Sequence, residues 1–259
     1  MWLIPSRRRL GKLRNFCNSA IHSQTTTPAL IIVDKEDYKD NQAEYSQLEM
    51  HHFPNDKWKI HVSNAVGMGP KVRETHKIWK NCAWVGILND DHILVTKEWD
   101  KRLISQLNGK NFLTCNDKWN APQRAAGATI FSMPLMDAFG FPMFPLQIDH
   151  LGIDDVFEGI GRATGCWEVD MSVIVEHHHA FKNPDLMDDT HKLVYGTKPW
   201  HEAPEAKACQ EAYNNWLTND FPGVCERVRK LRASEKLAEL PRRDGSFGAP
   251  IIPLPTNGG

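Results

Sequence analysis

Residues 83–92 read Ala83-Trp84-Val85-Gly86-Ile87-Leu88-Asn89-Asp90-Asp91-His92: a short apolar run that passes directly into an acidic segment. A continuous apolar run of this length is the pattern of a strand buried on both faces of a parallel sheet. In open α/β sheets, ligands sit outside the carboxyl ends of such strands. Two adjacent carboxylates at that place repel each other unless a cation or hydrogen-bond donors offset the charge. Hard divalent cations take oxygen ligands and often bridge a diphosphate. A solvent-facing turn with an Asx cap is the competing account of the same residues.

Working outward, the same alternation recurs. Trp2-Leu3-Ile4 is a short strand ended by Pro5-Ser6-Arg7, and Leu10, Leu13, Phe16, Cys17 and Ala20 repeat at helical spacing across residues 8–21. Ala29 to Val33 is a β-branched apolar run closed by Asp34. Strand, helix and strand make one right-handed crossover unit. Trp58 to Val62 predicts a third strand, residues 70–80 a helix, Trp99 to Leu107 another helix, and Phe112 to Cys115 a further strand. Residues 121–150 carry four prolines and read as irregular, with a strand over 125–131. Ile153 to Ala163 predicts a helix and Val169 to Val175 a strand, followed by helices over 203–217 and 222–240. The Pro/Gly-rich residues 241–259 read as a flexible tail.

A length of 259 residues suits one large α/β domain with a short extension, large enough to fold without disulfide staples. The formal net charge of −1 argues against nucleic-acid binding by bulk electrostatics. Local basic clusters at Arg7 to Arg14 and Arg227 to Arg232 fit either a solvated helix face or a stripe that follows a phosphate backbone. The six cysteines show no zinc-knuckle or redox-pair spacing, so reduced thiols in a cytoplasmic protein are the simplest account. No apolar run reaches the roughly 20 residues of a membrane helix.

Two further constellations carry chemistry. Glu176-His177-His178-His179 follows an apolar strand, and alternation puts His177 and His179 on one face. Imidazole there suits Mn²⁺, Fe²⁺ or Zn²⁺; a purely structural role is the alternative. Asp154 and Asp155, preceded by Asp149-His150, stand at a helix start, where a carboxylate acts either as a cap or as a general base. The Gly-x-Gly-x-x-Gly, P-loop, Gly-x-Ser-x-Gly and His-Glu-x-x-His patterns are all missing, which removes the commoner enzymes of this fold class.

In order along the chain, these segments resemble the small GT-A glycosyltransferases related to family 2, in a branch often encoded by bacteriophages. The resemblance spans roughly residues 2–195 and rests on an ordered set of segments. These are Trp2 to Arg7, Val33 to Asp37, Asn89 to His92 with Glu98-Trp99-Asp100, Gly127 to Phe131, Ile153 to Phe157, and Val175 to His179. It implies a Rossmann-like mixed sheet flanked by helices over 1–200, a helical extension over 201–240 and a tail over 241–259.

For function the resemblance implies transfer of a sugar from a nucleotide-sugar donor, a UDP-sugar first, with Mn²⁺ or Mg²⁺ as cofactor. Pro5, Ser6 and Arg7 would border the nucleotide, Asp34 or Asp37 its base or ribose, and Asn89 or Asp90 the ribose or sugar. Asp91 would bind the metal, completed by His177 or His179. Asp154, or its neighbour Asp155, would deprotonate the acceptor and give inversion at the anomeric carbon. Asn89 departs from the usual first residue of the acidic triplet, and Val156-Phe157 lacks the usual Trp. In a phage setting the acceptor would be a hydroxymethylated pyrimidine in DNA, in the host cytoplasm; a glycan, protein or small molecule is the alternative. A nucleotidyltransferase, or a non-catalytic protein that binds sugar nucleotides, are the other classes compatible with acidic strand ends.

Overall fold

The computed structural model describes residues 1–125, 128–149, 152–179, 183, 185 and 204–234. The expected tail over 241–259, and Gly127 and His150, lie outside the described residues.

The chain opens with β1 (Trp2–Ser6), α1 (Leu10–His22), β2 (Ala29–Asp34), α2 (Lys35–Asp40), α3 (Gln42–His52) and β3 (Trp58–Ser63). Next come α4 (Met68–Glu74), α5 (His76–Trp79), β4 (Trp84–Ile87), β5 (His92–Leu94) and α6 (Trp99–Ser105). The second half holds β6 (Phe112–Asn116), β7 (Thr129–Ser132), α7 (Met133–Phe139), α8 (Ile153–Thr164) and β8 (Trp167–His177). Two helices follow, α9 (Pro204–Asn219) and α10 (Phe221–Ala233).

The strands form one eight-stranded sheet in the order β3-β2-β1-β4-β7-β6-β8-β5. β3, β2, β1 and β4 are mutually parallel; β7 runs against β4 and β6, and β5 against β8. Because β8 is parallel to β6, the carboxyl ends of β1, β2, β4, β6 and β8 all lie on one side of the sheet. The amino end of β5 joins them there.

Each central strand feeds two cores, one on each face of the sheet. Leu3, Leu30, Ile32, Val85 and Ile87 pack with Phe112, Phe131, Phe139 and Phe157 under α4, α7 and α8. Trp2, Ile4, Ile31, Val33 and Leu113 pack with Phe16, Leu48 and Trp99 under α1, α3 and α6. Two-sided burial is why these strands read as unbroken apolar runs instead of alternating ones. α9 and α10 belong to the first core through Trp216, Val224 and Val228.

Three local features depart from the sequence reading. The helix expected over 70–80 is split at Thr75, whose hydroxyl donates to Val72 O at 2.8 Å and accepts from Trp79 Nε1 at 3.2 Å. A hydroxyl bonded back into the helix competes with its backbone ladder. α3 buries only Tyr45 and Leu48, too sparse a pattern to show as periodicity. α7 was hidden because Pro134 sits in its first turn, where its missing N–H is harmless.

The basic stripe of α10 is used for the fold. Arg227 donates from Nε to Ala138 O at 2.9 Å and from Nη2 to Phe139 O at 2.7 Å, and Arg229 Nη2 donates to Ala163 O at 3.0 Å. These carbonyls end α7 and α8, where acceptors have no helical partner and the dipole is negative. The sequence left this segment as either a solvated face or a phosphate-following stripe; these two arginines instead cap helices.

Gly86 is required by packing. A Cβ there would lie 2.2 Å from the Trp2 ring, which is fully buried and pressed against Trp84 and Trp99 at centroid distances of 5.5 and 4.6 Å. Gly86→Ala is expected to destabilise the protein by about 1–3 kcal/mol through overpacking, measured by urea denaturation with an unchanged m-value.

Candidate active site at the strand ends

The site begins at the end of β1. Ser6 is buried, and its Oγ donates to Asp90 Oδ2 at 2.7 Å. The chain then turns through Arg8, which holds a left-handed φ of 53°. Its N–H donates to Asp37 Oδ2 at 2.5 Å. Asp37 also accepts from Tyr45 OH at 2.9 Å and from Asn41 Nδ2 at 3.0 Å. Its carboxylate is therefore buried and committed to anchoring this turn.

At the end of β2, Asp34 pairs with Lys71 Nζ at 2.7 Å and Arg7 Nε at 3.4 Å. Lys71, carried by α4, also donates to Ser6 O at 3.2 Å, so one buried ammonium ties the first two strand ends together. Burial pulls the Lys71 ammonium below the ordinary lysine range, and Asp34 pulls the other way. Asp34 Oδ2 is buried with no hydrogen bond, its nearest cation being Arg7 Nε at 3.4 Å.

The Asn89-to-His92 segment links β4 to β5 and is buried at Asp90, Asp91 and His92. Both Asp90 oxygens are engaged, one by Ser6 and the other by Arg9 Nη1 at 2.9 Å. Burial pushes the Asp90 carboxyl up to about 6, against the pull of Arg9. Asp91 is different. It lies 3.6 Å from Arg9 through Oδ2 and 3.3 Å from His177 Nε2 through Oδ1. Burial pushes the Asp91 carboxyl up, but His177, His92 and Arg9 outweigh it and hold it far below the usual carboxylate range.

Antiparallel pairing of β5 with β8 sets His92 opposite His177, with ring centroids 4.7 Å apart. His178 N donates to Asp91 O at 3.0 Å and His177 N to Asp117 O at 3.2 Å, which stitches the three strand ends together. Candidate ligand atoms of Asp91, His92 and His177 lie within 4.8 Å of one another, all in buried side chains. Among the described residues, seven buried side-chain atoms lack a hydrogen bond; Asp91 Oδ1, His92 Nε2 and both ring nitrogens of His177 make four of them. Buried polar atoms without a hydrogen bond, concentrated in one place, are costly unless something fills the gap. A carboxylate with imidazole fits Mn²⁺, and Mg²⁺ less closely.

His92 and His177 are not equivalent. Asn89 N–H donates to His92 Nδ1 at 3.2 Å, which places the proton of neutral His92 on Nε2. Burial and the neighbouring His177 push the His92 pKa down to about 3, so the ring is neutral at pH 7. Ligation through Nε2 would turn Nδ1 into a donor facing the Asn89 N–H. His177 has no such obstacle at Nδ1, while its Nε2 faces Asp91 Oδ1 at 3.3 Å; burial lowers its pKa, but Asp91, Asp154 and Asp117 raise it on balance. His179 stacks on Trp119 at 5.4 Å and is outside the cluster.

The two candidate bases separate cleanly. Asp155 is paired with Arg124, which also holds Glu158 at 3.2 Å. Asp154 keeps an open face to solvent, yet the protein crowding its carboxyl withdraws bulk water and pushes it up to about 6. His177 and Arg124 pull the other way, and Asp155 and Asp117 add to the rise.

Sequence reasoning missed Arg9, Lys71, Asp117 and the part played by His92. Asp117 is fully buried at the end of β6; its Oδ1 accepts from Trp119, Asn120 and Ala121 N–H at 2.7–3.0 Å. That cap holds the loop which sets Trp119 against His177, at 5.6 Å between rings. The Asp117-x-x sequence could have flagged the turn, but not its position.

The fold matches solved glycosyltransferases. The chain is similar to the mannosyltransferase PcManGT from Pyrobaculum calidifontis, solved with GDP-Man and Mn²⁺, at 13% identity and a TM-score of 0.53 over 89% of this chain and 72% of that one. It is also similar to glucosyl-3-phosphoglycerate synthase from Mycobacterium tuberculosis, solved with Mg²⁺ and uridine diphosphate, at 9% identity and a TM-score of 0.51 over 82% and 78%. At these identities the likeness is one of fold, and the chain has the GT-A fold. No family profile and no curated protein matches the sequence. No helix among the described residues is long and apolar enough to cross a membrane.

If the cluster holds a divalent ion, MnCl₂ at a hundred times its Kd raises the Tm of the protein by about 5–10 °C. Asp91→Asn and His177→Gln are expected to abolish that shift, whereas His92→Gln keeps most of it. Loss of the shift in all three would make His92 a ligand as well.

Proposed function

We propose that the protein is a metal-dependent glycosyltransferase that moves a sugar from a nucleotide-sugar donor to an acceptor hydroxyl. The observation that carries this reading is the buried Asp91–His177 pair, with orphaned ligand atoms, at the carboxyl edge of a GT-A sheet. Asp91 and His177 would hold Mn²⁺ or Mg²⁺, with the His92 N–H beside them. Bound there, the ion supplies Lewis-acid neutralisation of the charge gathering on a departing diphosphate. Fold neighbours solved with GDP-Man and Mn²⁺, and with uridine diphosphate and Mg²⁺, support both the donor class and the metal.

Pro5, Ser6, Arg7 and Asp34 would line the nucleotide, with Asp34 Oδ2 as the acceptor that reads a base or ribose donor. Asn89 would face the ribose or sugar. Asp37 and Asp90 stay in the site as anchors of the loops that do so, since their oxygens are engaged within the chain. A UDP-sugar is the first donor to test.

Asp154 would be the catalytic base. The acceptor oxygen attacks the anomeric carbon as its proton passes to the carboxylate; the bond to the diphosphate breaks and the electron pair leaves with the phosphate oxygen. The result is inversion. The pairing of Asp155 with Arg124 favours Asp154 over Asp155 for that role. For the acceptor we favour a primary hydroxyl, with hydroxymethylated pyrimidine in phage DNA one class and simple glycans the other. The proposed setting is the cytoplasm, where free cysteines such as these six stay reduced.

The deciding experiment is a mass-based screen of UDP- and GDP-sugars with Mn²⁺ against hydroxymethylcytosine DNA, plain DNA and glycan acceptors. Asp91→Ala is expected to lose about 100-fold or more in donor turnover. Equal rates for variant and wild type would remove the metal assignment.

A second set of measurements addresses the base. Asp154→Asn is expected to lower kcat by about 10²–10⁴ with donor KM little changed. Because a base acts deprotonated and this carboxyl titrates near 6, wild-type kcat/KM is expected to fall about tenfold per pH unit below 6 and level off above it. A product that retains the donor's anomeric configuration by NMR would rule out this role for Asp154.

A further inference from the structure

One carboxylate beside the site carries more charge than its local bonds require. Asp117 follows β6 directly and is fully buried. Its Oδ1 alone caps the turn, accepting from the N–H groups of Trp119, Asn120 and Ala121. Its Oδ2 is buried and makes no hydrogen bond among the described residues. An amide or a hydroxyl would cap the same turn without bringing a charge into the interior. A full carboxylate at this place is better explained by what its second oxygen serves.

Resting on the reading that Asp91 and His177 hold a divalent ion, we infer that Asp117 is the positioning residue of His177. It is the outer carboxylate that accepts the ring N–H left over when the other nitrogen binds the ion. His177 Nε2 faces Asp91 Oδ1 at 3.3 Å, so Nε2 is on the cluster side and Nδ1 is the outer nitrogen. Nδ1 is buried and makes no hydrogen bond. An imidazole that binds a metal through one nitrogen carries its proton on the other, and that N–H is usually held by a carboxylate, a carbonyl or water.

Among the described residues, four carboxylate oxygens of buried side chains lack a hydrogen bond. Asp91 Oδ1 is on the Nε2 side, and Asp34 Oδ2 lies by Arg7 at the end of β2. Asp100 sits against Thr26 and Thr27, ahead of β2 and at the opposite edge of the sheet. Asp117 Oδ2 remains, at the strand end next to β8. The two residues are already tied there, since His177 N–H donates to Asp117 O at 3.2 Å, and the Asp117 charge acts on the His177 ring. Asp154 acts on that ring too, but it keeps an open face to solvent.

The turn that Oδ1 caps sets Trp119 edge-on to His177 at 5.6 Å and stacked on His179 at 5.4 Å. With an aromatic wall over it, a carboxylate–imidazole bond is stronger than it would be in water. One side chain thus builds the wall with one oxygen and holds the ring with the other.

The test is calorimetric titration of the whole protein with MnCl₂ and, separately, with MgCl₂. Wild type is compared with Asp117→Asn, Asp117→Ser, Asp154→Asn and Trp119→Ala. Asp117→Asn keeps the Oδ1 cap and removes the charge, so it is expected to fold as wild type by circular dichroism and urea denaturation. Its Mn²⁺ affinity is expected to fall about 10- to 100-fold. Its Mg²⁺ affinity is expected to fall less than about threefold, because Mg²⁺ depends on oxygen ligands far more than on imidazole. That narrowed preference separates action through His177 from a general loosening, which would weaken both ions alike. Asp117→Ser caps the turn with a hydroxyl and gives the same readout should the Asn variant fold poorly. Asp154→Asn and Trp119→Ala are expected to keep Mn²⁺ affinity within about threefold, since neither holds the ring nitrogen.

If wild type binds Mn²⁺ and both Asp117 variants bind it equally well, the inference is overturned and the metal site stands. Equal losses for Mn²⁺ and Mg²⁺ would overturn it too, as would a loss in Asp154→Asn or Trp119→Ala as large as that in Asp117→Asn. Should wild type bind neither ion, the metal reading itself fails and the inference falls with it.

Discussion

The antiparallel pairing of β5 with β8 is the constraint on which the site depends. It joins a three-residue strand to the end of an eleven-residue one, in a register that sets His92 opposite His177 and Leu94 opposite Val175. A slip by one residue would turn every side chain to the other face. The register is pinned at the apolar end by buried Leu94, Val173 and Val175, and at the polar end by the bonds from His177 N to Asp117 O and from His178 N to Asp91 O. Hydrophobic packing at one end of the ladder thus fixes the geometry of a polar cluster at the other.

That cluster is expensive on its own terms. An unpartnered buried polar group costs about 1–3 kcal/mol, and His92 Nε2 and His177 Nδ1 converge here beside an Asp91–His177 contact of 3.3 Å. The two cores on either face of the sheet can absorb this, with Trp2, Trp99 and Trp58 sealed on one side and the Phe112, Phe131 and Phe157 rings on the other. Strain concentrated at the carboxyl edge of the sheet, inside a well-packed remainder, is the pattern expected of a ligand site.

Across that edge the charges alternate: Lys71 against Asp34, Asp34 against Arg7, Arg9 between Asp90 and Asp91, and Asp91 against His177. Asp34, Asp37, Asp90 and Asp91 each have a cationic or hydroxyl neighbour. The same logic sorts identical residue types elsewhere. Asp155 is paired with Arg124 on the helix surface while Asp154 beside it is not, and Arg227 caps a helix where a solvated face or a phosphate-following stripe was expected. Sequence shows a run of arginines or a pair of aspartates, but not which carbonyl or cation lies opposite each.

By itself the sequence determined the buried strands, the helices between them and the acidic ends at Asp34, Asp90 and Asp91, because two-sided burial writes apolar runs that stop where the sheet stops. Residues 35–52 and 133–139 stayed unread because sparse burial and an N-terminal proline erase the helical period, and β5 (His92–Leu94) because three residues are too few to show a strand pattern. Only the tertiary structure decided which acidic oxygens remain available, that His92 and not His179 joins Asp91 and His177, and that Arg9 reaches the triplet. Those outcomes follow from register and strand order between distant segments. Periodicity is a local property of the chain, whereas the partner of a buried charge is set by whatever the fold brings across from it.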